Sequence, residues 1–178
     1  MRISFSYFFC LLAGLLFNCQ KVVEESHVKF NSLSRNGYSI RYPDGWQVDS
    51  SHAFGSDIFI LSGKEDSADL FNENVSVMVQ NLPEDTITLD VFVKVSENQI
   101  AGLANNHEIL KSERLYQRDV EYHRIVFNQK QDLLLLRKEQ YYFISNRKAF
   151  VLTYSAEIGS AFRFGLIASE IIGSFHLR

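Results

Sequence analysis

Four strand-like segments follow one another in the second half of this chain: His107–Tyr116, Val120–Asn128, Leu133–Ser145 and Ala149–Glu157. The links between them are Gln117-Arg118-Asp119, Gln129 to Asp132, and Asn146-Arg147-Lys148. A return to a parallel neighbour needs a crossover of about a dozen residues or more, whereas a link this short closes only a hairpin. The segments are therefore antiparallel neighbours, and a purely parallel, doubly wound architecture is excluded for this half.

The first half adds strands of the same kind. Tyr38-Ser39-Ile40-Arg41-Tyr42 alternates, with Tyr38, Ile40 and Tyr42 on one face. Pro43-Asp44-Gly45 has turn chemistry, with proline setting φ early and glycine tolerating a positive φ late. Trp46, the single tryptophan, is read as a plug at a sheet end in preference to a ligand-stacking ring. Ile58–Leu61 is a short apolar strand. In Asn74–Gln80, Val75, Val77 and Val79 point one way and Ser76, Met78 and Gln80 the other. The period then changes. Leu89, Phe92, Val93, Ile100 and Leu103 recur at helical spacing, which predicts a helix from Leu89 to Ala104 with Thr88 as N-cap, Asp90 in the first turn and Asn105-Asn106 as its stop. A second helix, capped by Ser160, carries Phe164, Ile167, Ala168, Ile171 and Phe175 on one stripe. Strands, helix, meander, helix make an α+β fold: one antiparallel sheet of roughly six or seven strands flanked by helices. With 46% hydrophobic and 22% charged residues, the chain has material for one core, and no internal repeat marks a second domain.

The N-terminus has a separate logic. Arg2 precedes an apolar run from Ile3 to Phe17 that is too short to span a bilayer and is apolar all round. These are the n- and h-regions of an export signal; the alternative is a buried N-terminal helix. The run ends in Leu16-Phe17-Asn18-Cys19, which lacks the small residues of an ordinary cleavage site. It resembles the relaxed lipobox of bacterial lipoproteins, with leucine three residues before the acceptor cysteine. The resemblance implies cleavage before Cys19 and acylation of Cys19. Cys10 would leave with the signal, so the mature chain would hold one cysteine and no internal disulfide. The alternative is an incidental thiol. The expected divisions are a lipoprotein signal over 1–18, a lipidated tether over 19–36 and a globular domain over 37–178. Within the tether, Val28, Phe30 and Leu33 form an apolar patch that suits a short docking strand or helix. The net charge of −3 offers no electrostatic pull to anionic lipid, so acyl chains on Cys19 would supply the membrane anchor, in the outer or inner membrane.

Three stretches together resemble the PsbP-like family of α/β/α sandwiches, which includes the DcrB-like group and many bacterial lipoproteins. They are Gly37-Tyr38-Ser39-Ile40-Arg41-Tyr42-Pro43-Asp44-Gly45-Trp46, then Phe71-Asn72-Glu73-Asn74-Val75-Ser76-Val77, and finally Ile171-Ile172-Gly173-Ser174-Phe175. The resemblance spans Gly37 to Phe175. It implies an accessory or binding role and carries over no catalytic residue.

Chemistry read from the residues agrees. His27, His52, His107, His123 and His176 show no metal-ligand spacing, and His123 reads as a satisfied sheet residue. The serines lack a GxSxG or SxxK context, and the acidic loop from Ser62 to Asn74 is not an EF-hand. No basic, aromatic-interleaved stripe suggests nucleic acid. No catalytic residue, metal or cofactor is expected. Eight tyrosines and 15 phenylalanines leave two possibilities: an exposed partner patch around Tyr116, Tyr122, Tyr141, Tyr142, Phe143 and Tyr154, or a sheet covered on both faces. The expected function is a non-catalytic envelope module that binds a protein partner or supports an envelope complex. The alternative is a carrier of a small apolar ligand in a helix–sheet cleft. Convergence of a nucleophile, a base and an orienting group would favour an enzyme instead.

Overall fold

A computed structural model describes residues 28–64, 66–67, 69–83, 86–103 and 108–178. The signal, Cys10, Cys19, His27, the first half of the tether and the stop at Asn105-Asn106 with His107 lie outside the described residues.

The described chain runs β1 (Phe30–Arg35), β2 (Tyr38–Pro43), β3 (Gln47–Asp49), a single 3₁₀ turn (Ala53–Gly55), β4 (Ile58–Leu61), β5 (Asn74–Asn81) and α1 (Leu89–Gly102). It continues with β6 (Ile109–Gln117), β7 (Val120–Gln131), β8 (Leu134–Ser145), β9 (Lys148–Glu157), α2 (Ala161–Gly173) and β10 (His176–Leu177). The main sheet has seven strands in the order β3-β4-β5-β9-β8-β7-β6, every neighbouring pair antiparallel. The four segments of the second half pair as their links require. Arg118-Asp119 and Asn146-Arg147 take positive φ at both central positions, which matches the strand twist in a two-residue hairpin.

One expectation is corrected. The strands do not form a single sheet: β1, β2 and β10 make a separate three-stranded sheet, ordered β1-β2-β10. The tether patch resolves as β1, pairing Phe30 with Pro43 through Arg35 with Tyr38. The strand Tyr38–Pro43 is held away from the main sheet by the C-terminus. Its Arg41 N–H donates to Ser174 Oγ at 2.8 Å, and Ser39 pairs with His176 of β10. Alternation specified a strand here but carried no information about which edge it would join.

The helices pack on opposite faces. Leu89, Val93 and Ile100 of α1 meet Ile125, Phe127, Tyr142 and Val151. Ala168, Ile171 and Ile172 of α2, with β2 and Phe175, meet Val75, Val77, Tyr141, Phe143, Phe150, Leu152 and Tyr154. Neighbouring residues such as Tyr141 and Tyr142 thus enter different cores, as strand alternation demands. Thr88 caps α1, its hydroxyl accepting from Val91 N–H. At the turn between β1 and β2, Gly37 has φ +96°, and a Cβ there would lie 3.2 Å from the Phe150 ring. Only glycine meets both demands. Trp46 sits edge-on to Phe164, with 6.2 Å between ring centroids, packed on the α2-side core as a plug.

Candidate functional site

Helix α1 covers only part of its face of the sheet. Beside it the floor turns polar: Asn74 and Ser76 from β5, Thr153 and Ser155 from β9, Lys138 and Gln140 from β8, Gln129 and Gln131 from β7. Two adjoining hollows, of about 380 and 390 Å³, share Ser56, Ser76, Met78, Lys138, Gln140 and Thr153. Phe92, Ile100 and Leu103 wall one hollow, and Phe54, Phe59 and Phe71 wall the other. The result is one open groove with apolar sides and a hydrogen-bonding floor.

Lys138 stands in both hollows. It lies on the second of the three strands β9-β8-β7, opposite Phe127 on one side and Ser155 on the other. It is half-buried, and burial alone pulls its ammonium below the usual lysine range. No other charged side chain lines either hollow among the described residues. Lysine is rarely buried unless paired, because removing the ammonium from water is costly. The floor around it is already ordered: Tyr142 donates to Gln140, and Gln140 Nε2 donates to Thr153 Oγ1 at 3.4 Å.

The opposite rim carries backbone strain. His52 and Phe54 have φ of +59° and +51°, in the left-handed region that L residues avoid. Phe54 is 92% exposed and meets Phe59 edge-on at 6.3 Å. Such strain costs of order 1–3 kcal/mol per residue and concentrates at binding sites. An aromatic ring held out to solvent across the groove from a cation that makes no ion pair among the described residues marks the groove as the candidate site.

The arrangement that would favour catalysis fails on its hydrogen bonding. Glu97 of α1, Ser112 of β6 and His123 of β7 do meet. Ser112 Oγ donates to Glu97 Oε1 at 2.8 Å and lies 2.7 Å from His123 Nε2. With the hydroxyl proton on the carboxylate, His123 Nε2 is the donor to Ser112 Oγ, the reverse of the bond that a general base makes to a nucleophile. Burial lowers the His123 pKa, favouring the neutral ring. The acid holds the serine, where a relay would have it orient the imidazole. His123 is the satisfied sheet residue expected. In the acidic loop, Asp66 Oδ1 accepts Asp69 N–H and Asp69 Oδ1 accepts Phe71 N–H, each at 3.1 Å. These carboxylates brace the loop's own backbone. No group of three or more His, Cys, Asp or Glu side chains able to hold a metal occurs among the described residues. Of the aromatics, Tyr141, Tyr142, Phe143 and Tyr154 are buried between sheet and helices, while Tyr116 is exposed. The covered-sheet alternative therefore holds for most of them.

Lys138 was not singled out in the sequence, where Arg137-Lys138-Glu139-Gln140 reads as a polar run. A signal existed: strand alternation puts Leu136, Lys138, Gln140 and Tyr142 on one face, and Leu136 and Tyr142 are buried. A lysine in register with buried neighbours on an inner strand is the anomaly.

Fold and groove together define an α+β sandwich with helices on both faces of an antiparallel sheet and an open ligand-sized hollow on one of them. Neither a family model nor a curated protein sequence matches the chain. Solved structures do. The cyanobacterial PsbP protein CyanoP from Synechocystis sp. PCC 6803 is similar at TM-score 0.65 and 19% identity, over 93% of this chain and 100% of that one. LpqN, involved in cell envelope biogenesis of Mycobacterium tuberculosis, is similar at TM-score 0.61 and 13% identity, over 92% and 99%. PA94 from Pseudomonas aeruginosa, a protein of unknown function, is similar at 0.58 and 12%, over 85% and 98%. The chain has the PsbP-like fold, as the three sequence stretches implied. No helix among the described residues is long and apolar enough to cross a membrane.

Proposed function

We propose that this is a lipid-anchored, non-catalytic binding protein of the cell envelope that holds a small ligand in the groove beside α1. The observation that carries the reading is Lys138, a half-buried cation in an open groove whose lining, among the described residues, holds no other charged side chain. The envelope address rests on the lipobox-like Leu16–Cys19 and is supported by the fold shared with LpqN. Intact mass of the membrane-extracted chain tests both parts, measured under native and denaturing conditions for wild type and Cys19→Ser. The expected result is an N-terminus at Cys19 with added diacylglycerol mass that disappears in the variant, and a non-covalent small molecule retained only under native conditions. An unmodified chain would sink the anchor, and a ligand-free native mass that no small molecule can shift would sink the ligand.

A second reading, a protein partner, has its own observation. Phe162 is 90% exposed and Leu166, one turn on, 74% exposed, with Ile158 beside them in an open hollow between α2 and Arg124, Arg137 and Glu139 of the sheet. A photo-crosslinking residue at Phe162 should capture one defined envelope protein in intact cells, and Leu166→Asp should abolish the capture. Labelling that Leu166→Asp leaves unchanged would end this reading.

A further inference from the structure

We infer that the groove ligand is an anion carried on an apolar body, with its carboxylate or phosphate on Lys138 and its hydrocarbon along the flanking apolar wall. This rests on the groove being the binding site and adds the chemical class of what it binds. Three features of the groove set that class. The cation lies at the junction of the two hollows, so a single anionic group placed there is reached from either side. The neighbouring floor groups are neutral: Ser76, Thr153 and Gln140 can share hydrogen bonds with anionic oxygens without competing for the charge. The walls are apolar, with Phe92, Ile100 and Leu103 on one side and exposed Phe54 with Phe59 and Phe71 on the other. A free inorganic anion would leave those walls unused. A neutral hydrocarbon would leave the ammonium half-buried without a counter-charge, which is the costly arrangement. A ligand with both parts satisfies both, and hollows of about 380 and 390 Å³ fall within the ordinary range for small-molecule sites.

The test is a calorimetric titration of the full chain with octanoate, octyl phosphate, octanol and inorganic phosphate. Wild type, Lys138→Met and Lys138→Arg are compared; methionine keeps the unbranched stem and removes the charge. Octanoate or octyl phosphate should bind at least about tenfold tighter than octanol, the discrimination expected of a charge-assisted hydrogen bond. Lys138→Met should erase that preference by weakening octanoate and octyl phosphate, and Lys138→Arg should retain it. The two anionic amphiphiles distinguish a carboxylate from a phosphate ligand. On β9 the carboxylate of Glu157 stands on the same sheet face, two positions beyond Ser155, the partner of Lys138, and lines a separate hollow; among the described residues no charged side chain other than Lys138 lines the groove itself. Octanoate affinity should therefore fall as pH rises through the lysine's lowered pKa, with a flat profile in Lys138→Met. Octanol binding as tightly as octanoate, or a preference that survives Lys138→Met, would overturn the inference and leave the groove as a site of other specificity. Inorganic phosphate binding as tightly as octyl phosphate would overturn the apolar half. Failure of all four probes to bind any of the three forms of the chain would overturn the amphiphile class, and the native-mass measurement then decides whether the groove holds anything else.

Discussion

Phe175→Ala is expected to destabilise the protein by about 3–5 kcal/mol, the range for emptying a buried phenylalanine site. Phe175 follows the last turn of α2 and is buried at the meeting point of three elements. Its ring lies 5.0 Å from Phe143 of β8, 5.5 Å from Tyr38 of β2 and 6.0 Å from Phe150 of β9, centroid to centroid. One side chain thus joins the helix end, the small sheet and the main sheet. The surrounding rings belong to separate rigid strands, so the cavity cannot close by a local shift, and the cost should sit in the upper part of the range. The neighbouring Ser174 fixes the geometry: its Oγ donates to Ile171 O at 2.6 Å and accepts from Arg41 N–H. Urea unfolding of wild type and variant measures the difference. A loss under about 1 kcal/mol would show that Phe175 fills a site the core can repack, and that the small sheet is held by β10 pairing instead.

Ser160→Asp is expected to destabilise by about 2–4 kcal/mol, although aspartate is a better helix cap than most residues. Ser160 precedes α2 but makes no side-chain cap bond. Its hydroxyl instead donates to Glu73 Oε1, a carboxylate that is 3% exposed, and lies 3.1 Å from Glu157 O. Aspartate at 160 would set a second carboxylate directly against the buried Glu73, beside Glu157, while removing the donor that Glu73 relies on. Ser160→Ala should cost less, about 1–3 kcal/mol, since it removes the donor without adding charge. Thermal or denaturant unfolding of the two variants decides the matter. An aspartate variant as stable as wild type would mean that Ser160 serves α2 as a cap after all.

Ser160 also shows where reading the chain along its length stops. The serine before an apolar stripe predicted the start of α2, and the helix does begin at Ala161. The partner of its side chain lies 87 residues away, at Glu73. No local pattern joins those positions. Lys138 is a similar case: alternation assigns its face, but its isolation depends on which side chains β5, β7, β9 and α1 bring around it. Phe54 is a third, because a positive φ at a phenylalanine has no sequence signature.

By itself the sequence determined both helices, the longer strands and the local pairing of the second half, but not the short strands β3 and β10. Hairpin-length links made β6 to β9 a meander, alternation named the strands, and helical spacing with Thr88 placed α1. These rest on interactions between residues close in the chain, where backbone geometry leaves few choices. The α/β/α resemblance implied helices on both faces; only the tertiary structure decided that β1, β2 and β10 form a second sheet, which core each helix enters, and that α1 stops short of covering its side. Each of these depends on contacts between segments distant in sequence, whose choice is settled by the burial of the whole core. The groove follows from the last of them: the polar floor is written strand by strand, but it lies open only because, among the described residues, α1 leaves it uncovered.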